Sequence, residues 1–197
     1  MSVKIMKSIQ KRENANDKIY TPPQVVDIML ELCEYKKGIN INVLDPCKGG
    51  GAFYNKLDYP KSFCEIDQNI DFFDNNNFYD LIIGNPPYSI LDNWLKHTYT
   101  ICDKFCYIIG MYSLTPKRLK TMEENNFHIE KMILTQVPTW FSRSYIIVCH
   151  KGIKKKDNNI IFDYKFLGNK CLYCNKPCGG ANKDHCKRRS ADKECRY

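Results

Sequence analysis

Apolar residues along the chain fall into short continuous runs separated by stretches with helical spacing. Continuous runs occur at 41–45 (INVLD), 62–65 (SFCE), 79–84 (YDLIIG), 105–110 (FCYIIG), 129–134 and 145–150. Such runs fit strands covered on both faces. Between them, Val25, Ile28, Met29, Leu32 and Cys33 recur at helical spacing, as do Trp94, Leu95 and Tyr99 within 89–100. Thr21-Pro22-Pro23-Gln24 reads as a capping box with proline at the first helical position, and Gly38 as the stop. Ala52 to Leu57 is predicted to start a helix, and Thr115-Pro116 to open a basic one reaching about Asn125. Strand and helix alternate, which predicts an α/β fold with a parallel sheet and helices on both faces. No internal repeat is visible. Residues 1–20 read as a polar arm, 21–167 as the main domain and 168–197 as a Cys-rich basic tail. The segment IIFDYKFL before that tail is strand-like.

One strand ends in an unusual turn, DLIIGNPPYS at 80–89. Pro86 and Pro87 fix their own φ and push the preceding residues out of the helical region. The turn is therefore stiff and extended. It presents two acceptors, the Asn85 side-chain oxygen and the Pro86 carbonyl, beside the flat ring of Tyr88. Two acceptors next to an aromatic plate suit a planar group bearing an NH₂, such as a nucleobase or an amide. The plain alternative is a structural turn with a tyrosine lid.

A second feature changes the picture. Asp45-Pro46-Cys47-Lys48-Gly49-Gly50-Gly51 follows the first strand. In open α/β sheets, ligands bind outside the C-terminal strand ends. Glycines let the backbone approach a ligand, and a following helix N-terminus favours a carboxylate. Asp45 can take an ammonium, directly or through water. Glu65 ends the second strand, where a carboxylate can accept both ribose hydroxyls of a nucleoside.

Taken in order, these stretches resemble the S-adenosylmethionine-dependent amino-methyltransferases. The closest likeness is to the N6-adenine DNA methyltransferases with an NPPY turn and a motif order X–I–IV. YTPPQVVDIMLEL resembles their motif X, DPCKGGGAF motif I, CEID motif II, DFF at 71–73 motif III, and NPPY motif IV. The likeness covers about residues 19–150. It implies a Rossmann-like methyltransferase sheet. It also implies cofactor contacts from Tyr20, Thr21, Pro22, Asp45, Pro46, Gly49, Gly51, Glu65, Ile66, Asp71, Phe72 and Asn85. Asp71 would meet the cofactor's adenine amino group, Phe72 and Ile66 its ring. Asn85, Pro86, Pro87 and Tyr88 would form the catalytic turn. Tyr88, with Phe141 or Trp140, would stack on the flipped base; core filling is the alternative for both late aromatics. One departure is plain: Gln68, Asn69 and Ile70 alone separate CEID from DFF. A helix is expected to be missing there, leaving a short or bare sheet edge.

Composition adds constraints. The 197 residues carry 43% hydrophobic and 13% aromatic side chains, enough for one full core. No apolar run approaches a membrane span, and the N-terminus lacks a secretory hydrophobic region, so an intracellular, soluble protein is expected. Residues 1–150 hold 17 Lys/Arg and 17 Asp/Glu, and residues 151–197 hold 13 and 5, so the net charge of +8 belongs to the tail. Five of the eleven cysteines also lie there: Cys171, Cys174, Cys178, Cys186 and Cys195, with His185 beside one. A coreless tail with Cys-x₂-Cys and further cysteines predicts a small C-terminal zinc-binding module. Cys171 and Cys174 would form one pair, completed from the other four. Interleaved Lys183, Lys187, Arg188, Arg189 and Lys193 suggest phosphate contact. The six earlier cysteines read as apolar packing.

The expected function is methyl transfer to adenine N6 in DNA, with nucleic acid as partner and a second protein subunit possible. Adenine in RNA, cytosine N4, a protein glutamine amide and an inactive nucleic-acid-binding adaptor are the alternatives.

Overall fold

The computed structural model describes residues 19–58, 60–137, 140 and 143–152, and the strand backbone of 161–166. Its centre is a seven-stranded sheet. In chain order the strands are β1 (Val43–Asp45), β2 (Lys61–Phe63), β3 (Leu81–Gly84), β4 (Lys104–Gly110), β5 (Phe127–Gln136), β6 (Ser144–Lys151) and β7 (Ile161–Phe166). They lie side by side as β2-β1-β3-β4-β6-β5-β7. Among the described residues three helices flank them: α1 (Pro23–Leu32), α2 (Leu91–Ile101) and α3 (Pro116–Glu124).

The first four strands are parallel. The expectation of a wholly parallel sheet fails beyond β4, because β6 runs antiparallel to both β4 and β5. β5 and β6 form a long hairpin, and a hairpin's return strand must reverse direction. β7 then adds parallel to β5. The sheet is mixed.

Alternate residues of each central strand feed opposite faces. Val43, Leu81, Ile83, Cys106 and Ile108 pack with Val25, Val26, Met29 and Cys33 of the α1 segment. Leu44, Ile82, Phe105 and Tyr107 pack with Leu91, Trp94, Leu95 and Tyr99 of α2 and Met122 of α3. Helices therefore cover both faces, which explains the unbroken apolar runs of β3 and β4.

Three local expectations are corrected. The N-cap of α1 is Pro22, with no side-chain cap; Thr21 is buried instead. Pro23 at the first helical position starts the helix without it. The helix ends at Leu32, where Glu34 takes φ 60, well before Gly38. Its last carbonyls are held by lysines: Lys104 donates to Cys33 O and Lys131 to Leu32 O. Residues 52–57 form only a 3₁₀ turn, Tyr54–Lys56. The stretch to β2 is too short for a helix, and Leu57 is already extended. α3, by contrast, starts as its sequence implies, with Thr115 accepting from Arg118 N at 3.3 Å.

The short link between CEID and DFF behaves as expected. Ile66–Gln68 and Phe72–Asp74 are 3₁₀ turns, joined by a bridge between Glu65 and Ile70. No helix intervenes, and three-residue β2 forms the sheet edge. Cys33, Cys64, Cys102, Cys106 and Cys149 are buried free thiols, and Cys47 is half-buried. Among the described residues no helix is long and apolar enough to cross a membrane.

Candidate active site

β1, β3 and β4 end side by side, and the chain leaves each toward the same rim. After β1, the glycine loop folds back on itself. Gly49 and Gly51 take φ +49 and +81, and Gly51 N donates to Lys48 O at 2.7 Å. Gly51 needs its freedom, since a side chain there would be strained and would press on Asn55.

Asp45 is 0% exposed and spends its carboxylate on this loop. Oδ1 accepts from Cys47 N at 3.4 Å and Oδ2 from Tyr54 N at 3.1 Å. Burial pushes its pKa up to about 7, against the pull of these two N–H donors and with a push from Glu65. Glu65, at the end of the β2 segment, accepts from Gly49 N and Asp67 N. A carboxylate has about four lone-pair sites, so further acceptor capacity remains. Ile66 beside it is 58% exposed. Tyr20 lies on the loop: a Cβ added to Gly50 would stand 3.3 Å from its ring.

After β3, the stiff turn packs directly on the glycine loop. A Cβ at Gly84 would stand 3.0 Å from Pro46 Cδ, so only glycine lets the two strand ends approach so closely. Cys47 Sγ donates to Asn85 O at 3.0 Å and ties the loop to the turn. The Asn85 side chain sits between these elements and the start of the described chain. Its Nδ2 donates to Ile19 O at 3.1 Å. A carbonyl can only accept, so this bond fixes which way the amide faces. Asn85 Oδ1 is left buried with no hydrogen-bond partner. Buried acceptors without partners are rare and costly, on the order of 1–3 kcal/mol each. Pro86 is buried, and Pro87 O accepts from Ile90 N at 3.4 Å. The Tyr88 ring runs along the end of β4, about one van der Waals contact from where a Gly110 Cβ would be, with its hydroxyl 3.5 Å from Ile108 O.

No family model matches the chain, and no curated protein does. Solved structures do. A candidate class I S-adenosylmethionine-dependent methyltransferase from Listeria monocytogenes superposes with a TM-score of 0.63 at 14% identity, over 91% of this chain and 72% of that one. A candidate RNA methyltransferase from Pyrococcus horikoshii gives 0.56 at 18% identity, over 68% and 86%. The 23S rRNA methyltransferase ErmE gives 0.53 at 15% identity, over 66% and 68%. The chain has the class I methyltransferase fold.

Within that fold, the residues at the rim fit a nucleoside-bearing cofactor. A glycine loop with left-handed positions, a carboxylate at the second strand's end and an exposed apolar side chain next to it stand together. Asn85 meets them from the third strand. Phe72 does not join this set. It is 2% exposed and stacks on Trp94 at 4.1 Å, with His97 edge-on. The short link pulls it into the core, so it supports the wall and offers no face to a ligand. Asp71 caps the turn that carries Phe72, accepting from Phe73 N at 3.0 Å. Asp45 acts through the loop it holds. Trp140 packs half-buried against the α1 side of the core. Phe141 and the ligand candidates Cys171, Cys174, Cys178, His185, Cys186 and Cys195 lie outside the described residues. Among the described residues no group of His, Cys, Asp or Glu is placed to hold a metal.

Sequence reasoning missed Gly84, Cys47 and Ile19. A glycine closing a buried strand was a readable sign of close backbone approach for Gly84. Nothing in the sequence marked the other two.

Proposed function

We propose that the protein transfers a methyl group from S-adenosylmethionine to an exocyclic amine, the N6 of adenine in nucleic acid, most specifically DNA. The observation that carries this reading is the orphaned, buried Oδ1 of Asn85 in the NPPY turn. Gly49, Gly51, Glu65 and Ile66 would hold the cofactor, with Asp45 and Pro46 shaping the loop and Tyr20, Thr21 and Pro22 closing from the arm. When bound, the cofactor supplies an electrophilic methyl on a sulfonium.

The chain's own task is to prepare the amine. An adenine amino group is a poor nucleophile because its lone pair is delocalised into the ring. Asn85 Oδ1 accepts one N–H and the Pro86 carbonyl the other. Holding both lets the nitrogen pyramidalise and frees its lone pair. Tyr88 stacks on the base once it has left the helix. Positioning and fixed dipoles then do most of the work. No strong base is required, since the proton leaves after attack. The Cys-rich tail, as a zinc module with its basic residues, would add contacts to the phosphate backbone.

RNA is the second reading, favoured by the fold shared with RNA methyltransferases. The test is label transfer from S-adenosylmethionine to duplex DNA, single-stranded DNA, structured RNA and a release-factor protein in parallel, with products digested and weighed. N6-methyladenine in DNA alone is expected. Label in RNA or glutamine keeps the chemistry of the turn and replaces the substrate. No label with cofactor bound contradicts the activity of the chain by itself.

A further inference from the structure

On the α2 side of the sheet a narrow cleft runs between α2 and α3. Asp92, Lys96 and Tyr99 line it from α2, and Lys117, Arg118 and Thr121 from α3. Three cations face one carboxylate. Asp92 pairs with Arg118 at 2.5 Å and more loosely with Lys117 at 3.9 Å, so the cleft keeps a positive excess. Tyr99 is 3% exposed, its ring packed on Phe127 at 5.0 Å and Phe105 at 6.1 Å. Its hydroxyl is buried and has no hydrogen-bond partner. Tyr99 lines the cleft, which leaves about 30 Å³ open to a water-sized atom.

We infer that this cleft binds a phosphate of a polynucleotide strand. One non-bridging oxygen would enter and take the Tyr99 hydroxyl's proton as a hydrogen bond. Lys96 and Lys117 would meet the remaining charge at the mouth, and Arg118 would stay with Asp92. The cleft is open at its mouth, so the rest of the group stays outside, as in a chain of phosphodiesters. Its position suits a strand already held at the NPPY turn. Asp92 lies in the first turn of α2, which follows Tyr88 directly. Arg118 Nη1 donates to Ser113 O at 2.8 Å, and Ser113 and Tyr88 both border Gly110. The inference rests on reading that turn as a transfer site on nucleic acid.

The test is fluorescence anisotropy of the full chain with a short labelled adenine-containing oligonucleotide across a salt series. Lys96→Gln with Lys117→Gln should weaken binding and reduce the salt slope by about 1.5 for two lost contacts. Tyr99→Phe keeps the packing and should cost about fivefold in affinity. Lys120→Gln, on the same helix beside Glu124 and outside the cleft, should change neither. An unchanged slope in the double variant overturns the inference, as does full affinity in Tyr99→Phe, which would leave a water on the hydroxyl. Absence of any oligonucleotide binding also overturns it. Transfer is scored separately with Asn85→Ala. Lost transfer there with unaltered slopes in the lysine variants sinks the cleft and spares the turn. Altered slopes in a chain that transfers no methyl spares the cleft and sinks the turn.

Discussion

Two strand ends meet at the rim, and each carries one polar side chain with a buried oxygen. Asp45 closes β1, and Asn85 follows β3. Asp45 is satisfied by its own loop through Cys47 N and Tyr54 N. Asn85 satisfies its donor on Ile19 O and leaves its acceptor unmet. The first group is used up in building the site. The second keeps an acceptor in reserve, which the proposed reaction would use for an amine. The difference separates architecture from chemistry, although both residues stand in motif-like stretches and look equally functional in sequence.

The largest stability effect should come from the architectural side. The folded pKa of Asp45 is raised to about 7, above its unfolded value. Between those values the folded protein holds more protons than the unfolded chain, so stability falls as pH rises through that window. The fall should be on the order of 4 kcal/mol. Asp45→Asn should flatten it, as read by denaturant unfolding at a series of pH values. An equal pH slope in the variant would mean that Asp45 is ionised throughout.

Gly84→Ala comes next. It forces the two strand ends apart, and should cost about 1–3 kcal/mol and lower cofactor affinity with it. Unaltered melting would show that Pro46 moves freely. Cys47→Ala removes the thiol bridge to Asn85 O and should cost about 1 kcal/mol, with transfer reduced more than cofactor binding. The smallest effect is expected for Tyr88→Phe. Its hydroxyl contact at 3.5 Å is weak, so stability should stay within about 0.5 kcal/mol and transfer should persist. Loss of transfer in that variant would give the hydroxyl a role beyond holding the ring.

The comparison also marks how far the sequence could be read. β3 and β4 were legible because both faces of each strand are covered, which leaves an unbroken apolar run. The direction of β6 was not, since a run of apolar residues carries no arrow. The helix expected at 52–57 failed on length, as the chain must reach β2 almost at once. Asn85, Glu65 and the glycine loop were readable because they belong to short local stretches. The ties that hold them were not. Cys47 to Asn85 and Gly84 against Pro46 join residues far apart in the chain, and Phe72 found its partner in Trp94 only through the fold.

Asn85 is proposed to serve the reaction and not the scaffold. The most direct measurement is single-turnover methyl transfer to an adenine-containing duplex beside S-adenosylmethionine affinity, for the wild-type chain and Asn85→Ala. Removing the acceptor should lower transfer by about 10³-fold, while cofactor affinity stays nearly unchanged. Loss of both together, or transfer that survives, would contradict the role assigned to Asn85.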